Sequence, residues 1–495
     1  MAGQNELKLL GSWASAYVTR VKLALHLKSV TYDYVEEDLR NKSDLLLESN
    51  PVHKKVPVLI HNGKPICESQ IIVEYIDEVF SGDGESLLPA DPHERAVARF
   101  WAAYIEDKIL TSWKKVFRAK TEEERAVWMK QMFVAAEALE GGLEECSKGK
   151  GCFFGGGSVG YVDVVLGGAV SFVHANDVIT GAKLFDAART PLLAVWLERF
   201  GELDAAKAVL QDVERALEHT KMVWARNATT ADLVRRIPRN LRADLEQITL
   251  ELPIELVESR SMAGGGDGLK LLATWFSPFA SRVKFVLHLK GLSYENIEED
   301  LKNKSELLLK SNPVHKKVPV LFHNGKPLCE SMVIVEYIEE AFAGVGPAVV
   351  PADPYERAVA RFWVNYIDNK LVAPWFQVFR GKTKEEKAEG LKQMFVAAAV
   401  LEEAFKECSK GKPFFGGDAV GIVDVALGSQ LGWLRASEAL SGIKLFDPAK
   451  MPLLLAWAER FTALDAAKAS MPESGRLLAY AKMRQTETDA ANASK

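Results

Sequence analysis

Cysteine is scarce: Cys67, Cys146, Cys152, Cys329 and Cys408 are the whole complement, with no Cys-x-x-Cys pair and no His/Cys cluster at metal-ligand spacing. That excludes a dithiol redox site and structural zinc, and a reducing compartment is expected. Cys67 and Cys329 sit in apolar surroundings and read as small core fillers, because apolar burial raises a thiol's pKa and leaves it inert. No apolar run reaches the roughly 18 residues that a membrane-crossing helix needs. The start, MAGQNELKLLGSW, lacks a basic segment followed by an apolar stretch. Neither charge sign dominates, with 62 Lys+Arg against 67 Asp+Glu and a net charge of -5. No strong basic field is therefore available for nucleic acid or an anionic membrane. A cytosolic chain with a neutral or small-molecule partner, no metal and no cofactor is expected.

What the chain has in abundance is itself. SNPVHKKVPVL occurs near residue 50 and again near residue 312. At an offset of 262, Asn41–Ser69 and Asn303–Ser331 share 25 of 29 residues, differing at Asp44/Glu306, Glu48/Lys310, Ile60/Phe322 and Ile66/Leu328. KGKGCFFGG against KGKPFFGG then shortens the offset to 261. A period this long exceeds that of any solenoid, so each copy is expected to be a complete globular unit. MAGGGDGLKLLATW resembles the chain's own start, which makes Met262 look like a former initiator. The segment between the copies, containing RRIPRNLRADLEQITLELPIELVESRS, has no counterpart in the repeat. It reads either as a mostly polar tether with a short helix in RADLEQITLEL, or as translated intergenic or intronic sequence.

Within each copy two textures follow one another. Apolar spacing predicts a strand at 7–10, a helix at 18–27, a strand at 32–35, a helix or turn at 42–49 and a strand at 56–60. Asn62-Gly63 then predicts a hairpin into a strand at 65–67, and a helix follows at 69–80. This order is that of a thioredoxin-like α/β domain. Beyond Asp91 only helical segments appear: 94–110, 122–146, 162–174 and 191–203. The fold class is therefore α/β plus all-α, twice. Its expected domains are residues 1–84 and 90–225, a linker at 226–266, then 267–346 and 352–487.

Three places could carry chemistry. A proline inside a strand pattern must stand where no ladder donor is needed. Pro57 and Pro319 thus read either as trans prolines opening an edge strand, or as cis prolines turning the backbone of Val56 and Val318 toward an extended peptide. Glu68-Ser69 and Glu330-Ser331 precede a helix. There the serine is either a cap, or part of a carboxylate site with the helix amides. With Glu68 for an ammonium and Lys42 and Lys55 for a second carboxylate, the group suits a zwitterionic peptide. Ser15 and Ser277 lie between the first strand and first helix, where a hydroxyl and helix amides converge on an anion, or where the serine merely caps.

GSWASAYVTRV and ATWFSPFASRV, the NKS and NPVHKKVPVL stretches, the Glu-Ser dipeptide, PADPxERAxARFW and FFGG…VDV together resemble glutathione S-transferases, most closely the plant tau class. The resemblance covers both copies and leaves out only the linker and the C-terminal tail. It implies detoxifying conjugation of glutathione to hydrophobic electrophiles, with glutathione as co-substrate and Ser15 and Ser277 hydrogen-bonding its sulfur. A non-catalytic carrier of apolar metabolites is the alternative. It also implies that Lys42, Lys55, Val56, Glu68 and Ser69, and Lys304, Lys317, Val318, Glu330 and Ser331, hold glutathione.

The same resemblance places the electrophile pocket at Trp13, Tyr104, Asp107, Lys108 and Thr111, and at Trp275, Tyr366, Asn369, Lys370 and Ala373. Asp163 and Asp424 match a buried helix-capping motif in which Gly160 and Gly421 replace the usual Ser or Thr, and they are assigned to structure. Arg20 and Arg282 read as solvated helix arginines rather than supports of the site, and His53 and His315 as loop residues rather than bases. The first copy has Ser15-Ala16-Tyr17 where the second has the more typical Ser277-Pro278-Phe279. Loss of the proline frees the loop that positions the serine. An internal pseudo-dimer and a homodimer both fit two copies in one chain.

Overall fold

A computed structural model of the chain describes residues 6–82, 84–227 and 268–493. The chain divides into two compact units, Met1–Glu258 and Ser259–Lys495. In the first, β1 (Leu7–Gly11), α1 (Ala16–Leu27), β2 (Asp33–Glu36), α2 (Asp44–Ser49), β3 (Val58–His61), β4 (Lys64–Cys67) and α3 (Ser69–Val79) follow the expected order. The four strands lie in the order β2-β1-β3-β4, with β1 parallel to β2 and antiparallel to β3. Side chains alternate between the faces of a strand. Leu10 and Val58 therefore share a face, and they form a core with Leu46 of α2. α1 and α3 pack against each other. The third strand starts at Val58 rather than Val56 because Pro57, which has no N–H, stands before it. Both Val56-Pro57 and Val318-Pro319 are cis.

Cys67 packs against the α2-side core, and burial, then the neighbouring Glu68 charge, pushes its thiol up to about 12. At pH 8 only about one such thiol in 10⁴ is ionised, so Cys67 is expected to react with iodoacetamide orders of magnitude more slowly than free cysteine. Peptide mapping of alkylated native protein reads this directly, and labelling of Cys67 at the rate of free cysteine would contradict it.

The helical half begins with α4 (Pro92–Tyr104), whose N-terminus is capped by Asp91. The expected helix to Leu110 does not continue in α form. Residues Ile105–Leu110 are π-helical, and Thr111 donates its hydroxyl to the Glu106 carbonyl at 3.0 Å before α5 (Thr111–Arg118) resumes. Such π segments cluster at functional sites. α6 (Glu122–Ser147) carries Thr121 as its cap and three glutamates in its first turn, favourably placed on the helix dipole.

The single helix expected at 162–174 is two, α7 (Tyr161–Gly167) and α8 (Val170–Thr180), bent by 44°. Between them Gly168 lies so close to α1 that a Cβ there would sit 2.5 Å from the Ala16 carbonyl oxygen. α9 (Pro191–Glu202), α10 (Asp204–Val209) and α11 (Val213–Asn227) complete the unit. No single helix among the described residues is long and apolar enough to cross a membrane.

The second unit repeats this plan, with strands Leu269–Ala273, Tyr294–Glu298, Val320–His323 and Lys326–Cys329 in the same order and the π segment at Ile367–Val372. Two boundaries shift. α11 runs through Asn227, past the expected linker start at 226, and the last helix runs Ser474–Ala493, past the expected end at 487. The rest of the linker, the short helix expected in it and Met262 lie outside the described residues.

Candidate active site

The N-terminus of α1 supplies the first group. Ser15 adopts extended backbone before the helix, and its hydroxyl oxygen accepts from the Val18 amide at 3.3 Å. Ser277 does the same with Ala280 at 3.1 Å. Both serines are caps, then. A hydroxyl that accepts from the helix still has a hydrogen to donate, and neither finds an acceptor for it among the described residues. Pro278 and Ala16 are both buried first residues of their helices, so the first copy enters α1 in the same way without proline.

At the second place, the serine is not a cap. Glu68 occupies the N-cap of α3, with φ +72 and no side-chain bond to the first turn; Glu330 repeats this with φ +70. A non-glycine residue in this region costs on the order of 1–2 kcal/mol. Finding it in both copies marks the turn as one whose shape is needed. It leaves first-turn amides of α3 without a side-chain acceptor and places Ser69 inside the protein, where its hydroxyl accepts from Arg20 Nη1 at 3.2 Å. Ser331 takes Arg282 Nη1 at 3.4 Å.

The arginines correct the expectation most sharply. They are not solvated: Arg20 is 1% exposed and Arg282 is fully buried. Arg20 Nε donates to the Val165 carbonyl at 2.9 Å, and Nη1 pairs with Glu106 Oε2 at 3.1 Å. Arg282 pairs with Asp368 and donates to Ala426 O at 3.2 Å. Each arginine thus joins α1, the serine opening the third helix, the π segment and α7 or its counterpart. Burial alone would raise the Glu106 carboxyl, but the Arg20 and Lys114 charges reverse this and hold it below its ordinary range. The sequence carries a signal for this burial. Lys22 and His26, one helical turn apart, mark the polar face of α1, and Arg20 lies about 200° from Lys22 at 100° per residue.

The remaining expected residues gather around these two helix ends. Asn50 holds the turn before the cis proline, donating to Lys55 O at 2.9 Å and accepting from His53 N at 3.0 Å. His53 is a turn residue, and its Nε2 lies 3.8 Å from Glu68 Oε1. The same arrangement recurs at Asn312, Lys317, His315 and Glu330. Lys42 Nζ donates to Lys54 O at 2.8 Å, which brings it to the turn beside Lys55.

Of the expected electrophile-pocket residues, Trp13 stands edge-on to His219 of α11 with the Arg215 guanidinium over its ring. Trp275 has Tyr480 and Arg476 in those places. Tyr104 and Tyr366 are buried, and the Tyr104 hydroxyl donates to Ala135 O at 3.3 Å. Exposed Asp107 pairs with Lys108 at 2.7 Å, while Asn369 donates to Asn365 O at 3.1 Å beside exposed Lys370 and Ala373. Glu106, Asp368, Tyr17, Lys114 and Gln211 also belong to this region and were not singled out from sequence; Gln211 donates to Trp13 O at 2.8 Å.

The glutathione S-transferase N-terminal domain model matches residues 5–78 and again 267–340, and the C-terminal domain model matches 349–465. The chain belongs to the glutathione S-transferase family. It is 56% identical over 232 residues to the probable glutathione S-transferase GSTU6 of Oryza sativa subsp. japonica, covering 46% of this chain and 98% of the relative. With glutathione S-transferase U17 of Arabidopsis thaliana it shares 50% over 218 residues, covering 43% of this chain and 94% of that one. The solved tau class enzyme of mango, Mangifera indica, is 46% identical over 44% of this chain and 100% of its own, with a TM-score of 0.43. Each relative spans under half of the chain, and the N-terminal domain occurs twice. The protein is a tandem fusion of two tau-class glutathione transferase copies.

Asp163 is fully buried at the start of α7, where Gly160 N, Phe154 N, Gly155 N and Trp196 Nε1 donate to its carboxylate at 2.7 to 3.1 Å. Asp424 repeats all four with Gly421, Phe415, Gly416 and Trp457. A Cβ at Gly160 would come within 3.1 Å of the Gly155 Cα, a tight contact that a side chain there would have to push aside.

Proposed function

We propose that each copy of this transferase binds glutathione across the two helix ends and conjugates its sulfur to a hydrophobic electrophile. The observation that carries the reading is the serine at the start of α1. Its oxygen accepts from the helix amide, so its hydrogen is free to donate to a sulfur. A free thiol has a pKa of about 8.5; lowering it by roughly two units takes about 2.7 kcal/mol of preference for the thiolate. One charge-assisted hydrogen bond supplies about 1.5–3 kcal/mol, and the positive end of α1 adds to it. No side chain needs to remove the proton, which passes to water.

Glutathione has a carboxylate at each end and one ammonium. In this reading the uncapped amides of α3 and the Ser69 hydroxyl take one carboxylate, Lys42 and Lys55 the other, Glu68 the ammonium, and the Val56 backbone pairs with the peptide. Lys304, Lys317, Val318, Glu330 and Ser331 serve the second copy in the same way. The buried arginine is a positioning residue: it holds the serine hydroxyl that meets the carboxylate.

The test is a pH titration of bound glutathione followed by thiolate ultraviolet absorbance, alongside conjugation of a chlorodinitrobenzene. An apparent thiol pKa near 6.5, two units below the free value, is expected with turnover. Glutathione that binds with an unshifted pKa and gives no product would overturn the transferase mechanism and leave a carrier of apolar ligands.

A further inference from the structure

The copies differ most where α1 faces the helical half. In the first, Tyr17 stands two residues past Ser15 and donates to Glu106 Oε1 at 2.8 Å. Lys114 Nζ donates to the Tyr17 hydroxyl and lies 3.3 Å from Glu106 Oε1. In the second, Phe279 and Phe376 take the places of Tyr17 and Lys114, with rings stacked at 6.4 Å and 17°. Ala14 gives way to Phe276, which stacks at 4.4 Å on Tyr480, the residue in the place of His219.

The copies differ in where their cations stand rather than in their number. In the first, Lys114 is half-buried against Tyr17 and Glu106, and Lys108 is paired with Asp107. In the second, Arg282 is paired with Asp368, while Lys370 and Arg380, the latter over the Phe376 ring, are exposed, where water and salt screen them. Glu68 and Glu330 are common to both copies. An ammonium has three N–H donors. Among the described residues the Tyr17 hydroxyl and Glu106 engage two from Lys114, which leaves one for a ligand on a half-buried, pre-positioned side chain. Burial and the Glu106 charge push the Tyr17 hydroxyl up, so it stays a neutral donor at physiological pH.

Resting on the transferase reading above, we propose that the two sites divide their electrophiles by charge. The Ser15 site takes electrophiles that carry a carboxylate or a similar anion, which Lys114 recognises. The Ser277 site takes flat, neutral aromatic electrophiles, held between rings that prefer offset or edge-on aromatic partners.

A matched pair separates these classes: 4-chloro-3,5-dinitrobenzoate and 1-chloro-2,6-dinitrobenzene, which differ by one carboxylate. In both, the C–S bond forms as the C–Cl bond breaks, chloride leaves with the bonding electron pair, and the thiol proton goes to water. The full-length chain is used with one serine removed at a time, Ser277→Ala leaving the first site and Ser15→Ala the second. The benzoate-to-neutral ratio of kcat/KM is expected to be about tenfold higher at the first site, the worth of one charge-assisted contact. Tyr17→Phe with Lys114→Phe should lower that ratio to the second site's value. The converse pair, Phe279→Tyr with Phe376→Lys, should raise the second site's ratio and guards against a variant that merely misfolds. Equal ratios at two sites that each lose turnover with their serine would overturn the division and leave the transferase reading standing. Turnover undiminished when both serines are gone would overturn that reading itself.

Discussion

Ser15→Ala combined with Ser277→Ala is expected to lower glutathione conjugation at pH 6.5 about fiftyfold, each single replacement removing only its own copy's share. Losing roughly 2.7 kcal/mol of thiolate stabilisation takes the bound thiol from about half ionised to about 1% ionised at that pH. The pH profile discriminates more finely than the rate. With the serines present, the bound thiol is ionised above about pH 6.5 and the rate levels off. Without them the thiol returns toward its free value of about 8.5, so the rate climbs roughly tenfold per pH unit between 6.5 and 8.5. Each serine also caps α1, and losing a cap costs about 1 kcal/mol of stability. Ser15→Thr and Ser277→Thr keep both hydroxyl and cap, and should retain the flat profile if they hold the oxygen in place. A double alanine variant with wild-type rate and an unchanged pH profile would remove the serines from the mechanism.

Much of this site could be read along the chain because its parts are local. A strand that ends before a serine-capped helix, a proline before a strand and an Asn-Gly hairpin each follow from neighbours in sequence, and the succession of elements followed from them. What escaped is what only folding brings together. Arg20 meets Ser69, Glu106 and Val165, residues up to 145 positions away. A buried arginine and an exposed one differ in no local pattern beyond the face of the helix they occupy. Lys28 is a similar case: it stands at the end of α1, where a basic residue would ordinarily meet water, yet it is fully buried against Asp77 at 2.8 Å. The π turn and the helix break after Gly167 were also invisible: both recur in the second copy, where Ala373 and Ser429 stand in the places of Thr111 and Gly168, so neither follows from one local residue. Tyr17 and Lys114 were hidden because they are 97 residues apart and joined only in the fold.

Asp163→Asn, or Asp424→Asn, is expected to destabilise its copy by roughly 3–4 kcal/mol. Among the described residues the carboxylate is the only acceptor for three backbone amides and an indole, two donors on each oxygen, and Gly160 contributes no side chain to share the work. An asparagine keeps one oxygen but turns an NH₂ toward the other two donors. Each buried donor left without an acceptor costs about 1–3 kcal/mol. Burial pushes both carboxyls up to about 6 against the pull of those donors, so at pH 7.5 the wild-type group is ionised. Thermal unfolding of the full-length chain at that pH should show a transition lowered by about 6–16 °C for a domain of this size. Because the bonds tie the 154–160 turn to the start of α7, and Arg20 bonds the Val165 carbonyl one turn further on, glutathione affinity in the altered copy should fall with stability. A loss under about 1 kcal/mol would mean that water satisfies the donors and that the carboxylate is not what fixes this turn.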